Sequence, residues 1–247
     1  MVKVECTAGQ VLTHGRGRQR RWLHRLGTGL VIVGIGVVGW SFVVWRWDDP
    51  FTSLYTRWQQ GRLSDRYEFI AARSAPTIVS PSTTSRAGAA HKVDVAARAL
   101  RAASQEGEPI GRLIVPRLAL DAVIVNGTGK ATLRKGPGRD LRSYFPGQGE
   151  LVYIAGHRTT YAAPFSHIDL LRVGDQVRIE VPYGAFVYSV SGHSIVAASD
   201  LSVLRSPGRE IVALQACHPR FFATERYIVW ARPVSFTPRG GRTYLAP

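Results

Sequence analysis

Residues 26–45 read LGTGLVIVGIGVVGWSFVVW, twenty positions without a charge. About 20 apolar residues span the hydrocarbon core of a bilayer as a helix. The run is long for the apolar part of a cleaved signal peptide, and no small-residue cleavage site follows it. A buried core helix with no polar face is the other alternative, and one this near the chain start is unexpected. The run is therefore read as a retained signal anchor. Lys3, Arg16, Arg18, Arg20, Arg21 and Arg25 precede it, and Arg46, Asp48 and Asp49 follow it. The positive-inside bias puts the N-terminus in the cytoplasm and the rest of the chain outside, with Trp40, Trp45 and Trp47 as interface anchors.

That topology reframes the charge. Of 247 residues 32 are Lys or Arg and 17 Asp or Glu, a net +15. Such a balance suits nucleic acid, an anionic surface or an acidic polymer. Six of the basic residues lie in the short tail, however, and residues 108–247 hold 17 basic against 10 acidic residues without a dense run. With no nucleic-acid motif and an external location, nucleic acid is excluded as a partner. Two cysteines, Cys6 and Cys217, exclude a disulfide scaffold and a Cys-rich zinc module.

After the anchor, Asp49 reads as a cap for a helix whose first residue is Pro50. Leu54, Tyr55, Trp58 and Leu63 recur at helical spacing, which predicts a short juxtamembrane helix weakened by Gly61. Residues 74–91 are rich in Ser, Thr, Pro and Ala and read as a flexible stalk. Residues 93–106 have helical propensity without a partner signal. From Glu108 the pattern changes to short Val-, Ile- and Tyr-rich strands between turn residues: 111–118, 121–126, 150–156, 176–181, 185–196, 210–216 and 226–234. This spacing predicts an all-β sandwich or closed barrel, with a helical turn at 201–206. The expected domains are a basic cytoplasmic tail 1–25, an anchor 26–45, a juxtamembrane helix and stalk 46–107, a catalytic domain 108–237 and a tail 238–247.

Cys6 and Cys217 lie on opposite sides of the membrane in this topology, so Cys217 is an unpaired external thiol. A lone cysteine with a histidine elsewhere is a candidate nucleophile, although most such cysteines are small buried hydrophobes. Cys217 ends one predicted strand, and Arg226 opens the next after a short loop. If these strands are antiparallel neighbours, both residues face one rim. His157 also follows a strand. A thiol, an imidazole and a guanidinium at one edge meet the minimum for acyl transfer: nucleophile, proton carrier and fixed charge for an oxyanion. His167 and His193 have no acidic partners at ligand spacing. No metal site and no cofactor are expected.

The segments IVPRLALDAVIVNGT, GPGRDLRSYFPGQGELVYIAGHRTTYAAPF and LQACHPRFFATERYIVWARPV resemble the sortases, membrane-anchored cysteine transpeptidases of Gram-positive bacteria. The resemblance implies an eight-stranded, mostly antiparallel β-barrel preceded by a single transmembrane helix and a juxtamembrane linker. It assigns His157 as the catalytic histidine, Cys217 as the nucleophile and Arg226 as the oxyanion-stabilising arginine. Thr159, Tyr161, Leu201, Val203, Ala216 and His218 are read as candidate substrate-site residues, with plain alternatives beside them: Thr159 and Tyr161 line the groove or only support the loop, Leu201 and Val203 contact the signal or belong to the core, and His218 tunes the thiol or begins a turn before Pro219. The HRTTYxAPF and CHP details are most similar to the class E sortases of actinobacteria. They imply cleavage of a Leu-Ala-x-Thr-Gly-like sorting signal after Thr, through a thioacyl intermediate. The partners implied are sorting-signal-bearing surface proteins and a cell-wall precursor or pilin amine. A hydrolase side activity is implied as well. The family's TLxTC threonines are replaced by Ala213 and Ala216. That departure keeps open an impaired sortase-like binding module, beside a class F or pilin-type enzyme with another signal.

Overall fold

The computed structural model describes residues 16–47, 50–73 and 85–246. Most of the basic tail, the Asp49 cap and positions 74–84 of the expected stalk lie outside the described residues. The chain divides into two compact units, Met1–Trp47 and Asp48–Pro247.

The first unit is a helix, α1 (Arg16–Trp47). Within it Arg21–Val43 is long and apolar enough to cross a membrane, and none of it is buried. That makes it a candidate membrane span.

The second unit is a closed barrel with two helices packed against it. Its strands are β1 (Pro109–Val115), β2 (Leu120–Asn126), β3 (Gly138–Arg139), β4 (Leu151–Ala155), β5 (Gln176–Val181), β6 (Gly184–Ala197), β7 (Ile211–His218) and β8 (Glu225–Pro238). Neighbour order runs β6-β5-β1-β2-β3-β4-β7-β8, and β6 pairs with β8 to close the ring. Eight strands thus form the barrel, and a two-residue β9 (Tyr244–Leu245) hangs on the outside of β8. All pairings are antiparallel except β2–β3 and β4–β7. Along β5 the buried residues alternate, Val177, Ile179 and Val181 facing in, as a strand with one wet face requires. Strand β4 is buried on both faces. Val152 and Ile154 join the main core with Phe145, Phe165, Tyr188 and Leu214. Leu151 and Tyr153 join a second cluster with Ala213 and Ile228, covered by Val203 and Leu204. The expected turn at 201–206 is a 3-10 turn over Ser202–Leu204.

Three readings of the sequence need correction. The juxtamembrane helix α2 (Pro50–Arg73) is not short and runs straight through Gly61. Leu63 and Tyr67 pack on Val123 and Val125. Gln60 donates to the carbonyls of Val123 and Lys135 and accepts from the Val123 N–H. These contacts outweigh the roughly 1 kcal/mol that a helical glycine costs. Residues 85–91 are not stalk: α3 (Arg86–Ala103) starts there, with the Ser85 hydroxyl accepting from the Gly88 N–H. Ala89, Val93 and Ala97 are buried, and the last two join the barrel core. The compact unit therefore begins well before Glu108. The segment after β8 returns as β9, with Tyr244 stacked 5.3 Å from Phe236.

Candidate active site

Register brings the three candidate residues to one rim. In the antiparallel β7–β8 pair, Cys217 and Arg226 are direct cross-strand partners. In the parallel β4–β7 pair, Ala155 is opposite Gln215, and the Gly156 N–H continues the ladder to the Gln215 carbonyl at 3.0 Å. His157 lies two residues past Ala155, and Cys217 two past Gln215. Parallel neighbours leave the sheet at the same level, so the imidazole and the thiol share an edge. His157, Cys217 and Arg226 line one cleft of about 270 Å³, together with Leu201, Val203, Asp140 and Arg142.

The guanidinium of Arg226 is held by its own loop, Nη1 donating to the carbonyls of Ala223 at 2.9 Å and Glu225 at 2.8 Å. That leaves its remaining N–H groups to meet charge developing beside Cys217. Cys217 is a free thiol, partly exposed. The His157 imidazole is half-buried, and its Nε2 is enclosed without a hydrogen-bond partner. Burial, and secondarily the positive charge of Arg134, pull its pKa below the usual histidine value. Both causes favour the neutral form of the ring, the form that can accept a proton.

The loop after His157 is built under constraint. Tyr161, Ala162 and Ala163 all adopt left-handed backbone, φ 54°, 58° and 38°, each costing on the order of 1 kcal/mol for a residue with a Cβ. The loop is closed by the Phe165 N–H donating to the His157 carbonyl at 3.1 Å. Gly156 is required beneath it, because a Cβ there would lie 2.6 Å from the Phe165 ring. The Tyr161 ring packs 5.0 Å from the His157 ring. Its backbone N–H donates to Thr52 Oγ1 of α2 at 2.8 Å, so α2 helps to fix the histidine's cover.

The other expected groove residues separate. Leu201 and Val203 line the cleft. Leu201 is 61% exposed, whereas Val203 also packs on the second core cluster. Tyr161 supports His157 but does not line the cleft. Thr159 sits partly exposed in the same loop, also outside the lining. Ala216 and His218 do not line the cleft either. Both flank Cys217 on the strand, and alternation turns them to the opposite face. Ala216 is fully buried in the barrel core. His218 Nδ1 accepts from Arg158 Nη1 at 2.9 Å, and its ring lies against Tyr227.

Arg158 itself escaped sequence reading. It is only 5% exposed. Nη2 pairs with Asp169 at 3.0 Å, and Nη1 also donates to the Cys217 carbonyl at 3.3 Å. Beside it in sequence, His157 faces the cleft while Arg158 props the end of β7 from behind. Asp140 and Arg142, which pair at 2.8 Å at the cleft wall, escaped it as well. Only the fold gives these residues their partners. Among the described residues no three His, Cys, Asp or Glu side chains gather in a way that would hold a metal ion.

A sortase-domain family model matches residues 113–234. Sortase D of Bacillus subtilis (strain 168) is 31% identical over 135 residues, which make up 53% of this chain and 67% of that protein. Sortase SrtE1 of Streptomyces coelicolor is 35% identical over 96 residues, 35% of this chain and 27% of that longer protein. Among solved structures, sortase E1 from Streptomyces coelicolor with a tripeptide in the active site superposes with a TM-score of 0.51 at 26% identity. The superposition covers 56% of this chain and 94% of that one.

Proposed function

Because the chain belongs to the sortase family, cysteine transpeptidases that act on proteins bearing sorting signals, we propose that Cys217, His157 and Arg226 carry that chemistry here. The observation that supports this most is the register. Two independent strand pairings, one antiparallel and one parallel, deliver the three side chains to one cleft.

In the proposed cycle the Cys217 sulfur attacks the threonine carbonyl of a Leu-Ala-x-Thr-Gly-like signal, and its proton passes to neutral His157. Arg226 steadies the tetrahedral oxyanion. The imidazolium then protonates the departing glycine amine, leaving a thioester on Cys217. His157 takes a proton from an incoming cell-wall peptide amine as that amine attacks, and the thiol is regenerated. Water in place of the amine gives the hydrolytic side reaction. No cofactor enters the cycle. Leu201, exposed at the cleft mouth, is the proposed contact for the apolar residues of the signal. Helix α1 is proposed to cross the cell membrane once, N-terminus inside, which holds the catalytic unit outside and near anchored substrates and precursors.

A binding module with a dead site is the weaker reading. Its motive was the loss of hydroxyls at positions 213 and 216, and Ala213 and Ala216 are both fully buried. A hydroxyl there would face the protein interior rather than the cleft.

The test uses the full chain in detergent micelles beside its Cys217→Ala variant. Each is mixed with a Leu-Ala-x-Thr-Gly peptide, and intact mass is followed with and without an amine acceptor. An adduct on Cys217 that disappears with added amine is expected. No adduct across a panel of signal variants, with a thiol inert to alkylation, would favour the binding module.

A further inference from the structure

Two exposed apolar stretches adjoin residues of the site. The first is the loop from β7 to β8, which begins just after Cys217 and presents Phe221, 57% exposed, and Phe222, 77% exposed. Phe221 and Ala223 hold left-handed backbone, φ 73° and 55°. A bulky residue in that region is an outlier. Strain of this kind is normally offset by packing, yet here it turns two aromatic rings outward into solvent.

The second is the start of α2, joined to the histidine loop by the Thr52–Tyr161 hydrogen bond. Its opening turns expose Leu54 by 70%, Tyr55 by 43% and Trp58 by 56%. Arg57 and Arg62 are interleaved with them, the Arg62 guanidinium lying 5.0 Å over the Trp58 ring. Isolated exposed apolar side chains need no explanation. Five of them in two stretches adjoining one site, mixed with arginine, do.

Tyrosine, tryptophan and phenylalanine beside arginine are the chemistry of a membrane–water interface. The rings bury among headgroups and acyl ends while guanidinium groups meet lipid phosphates.

We propose that the cleft-bearing end of the barrel rests on an anionic lipid surface, with Phe221 and Phe222 entering it from the one stretch and Leu54, Tyr55 and Trp58 from the other. The cleft then opens along the membrane plane, where an acyl donor still held by its own membrane segment can reach it. This inference deepens the proposed function but does not need turnover for its test.

The experiment uses the full chain in vesicles of phosphatidylcholine and phosphatidylglycerol. With Cys6→Ser and Cys217→Ala in place, single cysteines are introduced by Phe222→Cys, Trp58→Cys and, as a reference ahead of β7 at the far end of the barrel, Arg209→Cys. Each carries an environment-sensitive fluorophore, and lipids with nitroxides near the headgroup serve as quenchers. Labels at 222 and 58 are expected to shift to the blue and to be quenched, while the label at 209 stays in water. Equal quenching at 222 and 209, or none at 222, overturns the proposal. A label at 222 that responds only to added sorting-signal peptide overturns it too, and assigns the rings to substrate. In the active chain, Phe221→Ser with Phe222→Ser is expected to slow cleavage of a vesicle-anchored substrate about tenfold and to leave cleavage of a soluble peptide unchanged. An equal loss on both substrates would refute the membrane role.

Discussion

Replacing Arg158 by methionine probes the support behind Cys217, the proposed nucleophile. The guanidinium is 5% exposed and makes three polar contacts, to Asp169, His218 Nδ1 and the Cys217 carbonyl. They do not weigh equally. The Asp169 side chain is 47% exposed, so its carboxylate regains water when the arginine leaves. That pair is worth about 0–1 kcal/mol, as for other solvated ion pairs. The bonds to His218 and to the Cys217 carbonyl have a charged donor and are worth about 1.5–3 kcal/mol each before water replaces part of them. Against this, the arginine Nε is buried without a partner, a penalty of about 1–3 kcal/mol that Arg158→Met removes. The net expectation is a loss of about 2 kcal/mol, or about 4–8 °C in Tm for a domain of this size.

Activity is expected to fall further than stability. The Arg158–Cys217 bond fixes the backbone that carries the sulfur, and a misplacement of about 1 Å costs on the order of 100-fold. Thermal unfolding and peptide cleavage in the same detergent give both numbers. The loss should appear in kcat, with KM little changed. Arg158→Lys is expected to fall between, since a lysine keeps the charge but cannot fork to three acceptors. A variant Arg158→Met with unchanged Tm and kcat would refute this account. A lower Tm with normal kcat would make Arg158 a stabiliser of the fold with no part in positioning the thiol.

Three further outcomes are expected. Arg134→Gln removes one of the two causes that depress the His157 pKa, so the value should rise part of the way to that of a free histidine, burial still holding it down; an NMR titration of the imidazole and the acid limb of the pH–rate profile should both move to higher pH. Burial raises the pKa of the Glu210 carboxyl, which accepts from Tyr188 and from the N–H groups of Gly147 and Gly149. A raised folded pKa gives stability that is present below the unfolded value of 4.5 and is lost as pH rises through the folded value. Glu210→Gln should therefore flatten the fall in denaturation midpoint above that pH. Gly156→Ala puts a methyl group against the Phe165 ring, which should destabilise by about 1–3 kcal/mol and, by lifting the His157 loop, abolish peptide cleavage.

What was legible in the sequence follows physical lines. Hydropathy over 26–45 marks the apolar helix, because a long uncharged run is visible residue by residue. Alternation and turn residues gave the long strands, because each carries its own pattern. Strand β3 carries none: two residues, Gly138 and Arg139, are too few to show a period, and the pair exists because β2 and β4 need a bridge between them. The start of α3 was hidden by composition. Its alanines resemble a flexible linker until Ala89 and Val93 are seen packed, Val93 tightly enough that a Cβ on Gly147 would sit 2.3 Å from it. Arg158 was hidden for a related reason. A buried arginine is intelligible only through its partners, and Cys217 and His218 lie about 60 residues away in sequence.

The pairing of Cys217 with Arg226 is nearly local, since one short loop joins their strands. The arrival of His157 is not. Between β4 and β7 the chain makes β5, β6 and two 3-10 turns, Ile168–Leu170 and Ser202–Leu204, and only then returns to lie beside β4 in the same direction. That direction decides the site. The two strands share a register of five residue pairs, from Leu151–Ile211 to Ala155–Gln215. Had β4 run antiparallel to β7, the residue following its C-terminal end would emerge at the other rim, about 15–20 Å away at roughly 3.3 Å per residue. His157, only two residues past the paired end of β4, reaches no further than about 7 Å from it and would stay at that other rim. The parallel pair is also the less favourable kind per residue and closes a long stretch of chain. Its stability must come from burial on both faces, which Leu151 and Tyr153 on one side and Val152 and Ile154 on the other provide. The double-sided burial of β4 thus belongs to the proposed site as much as to the core: it holds in place the strand whose direction brings the imidazole and the thiol to one edge.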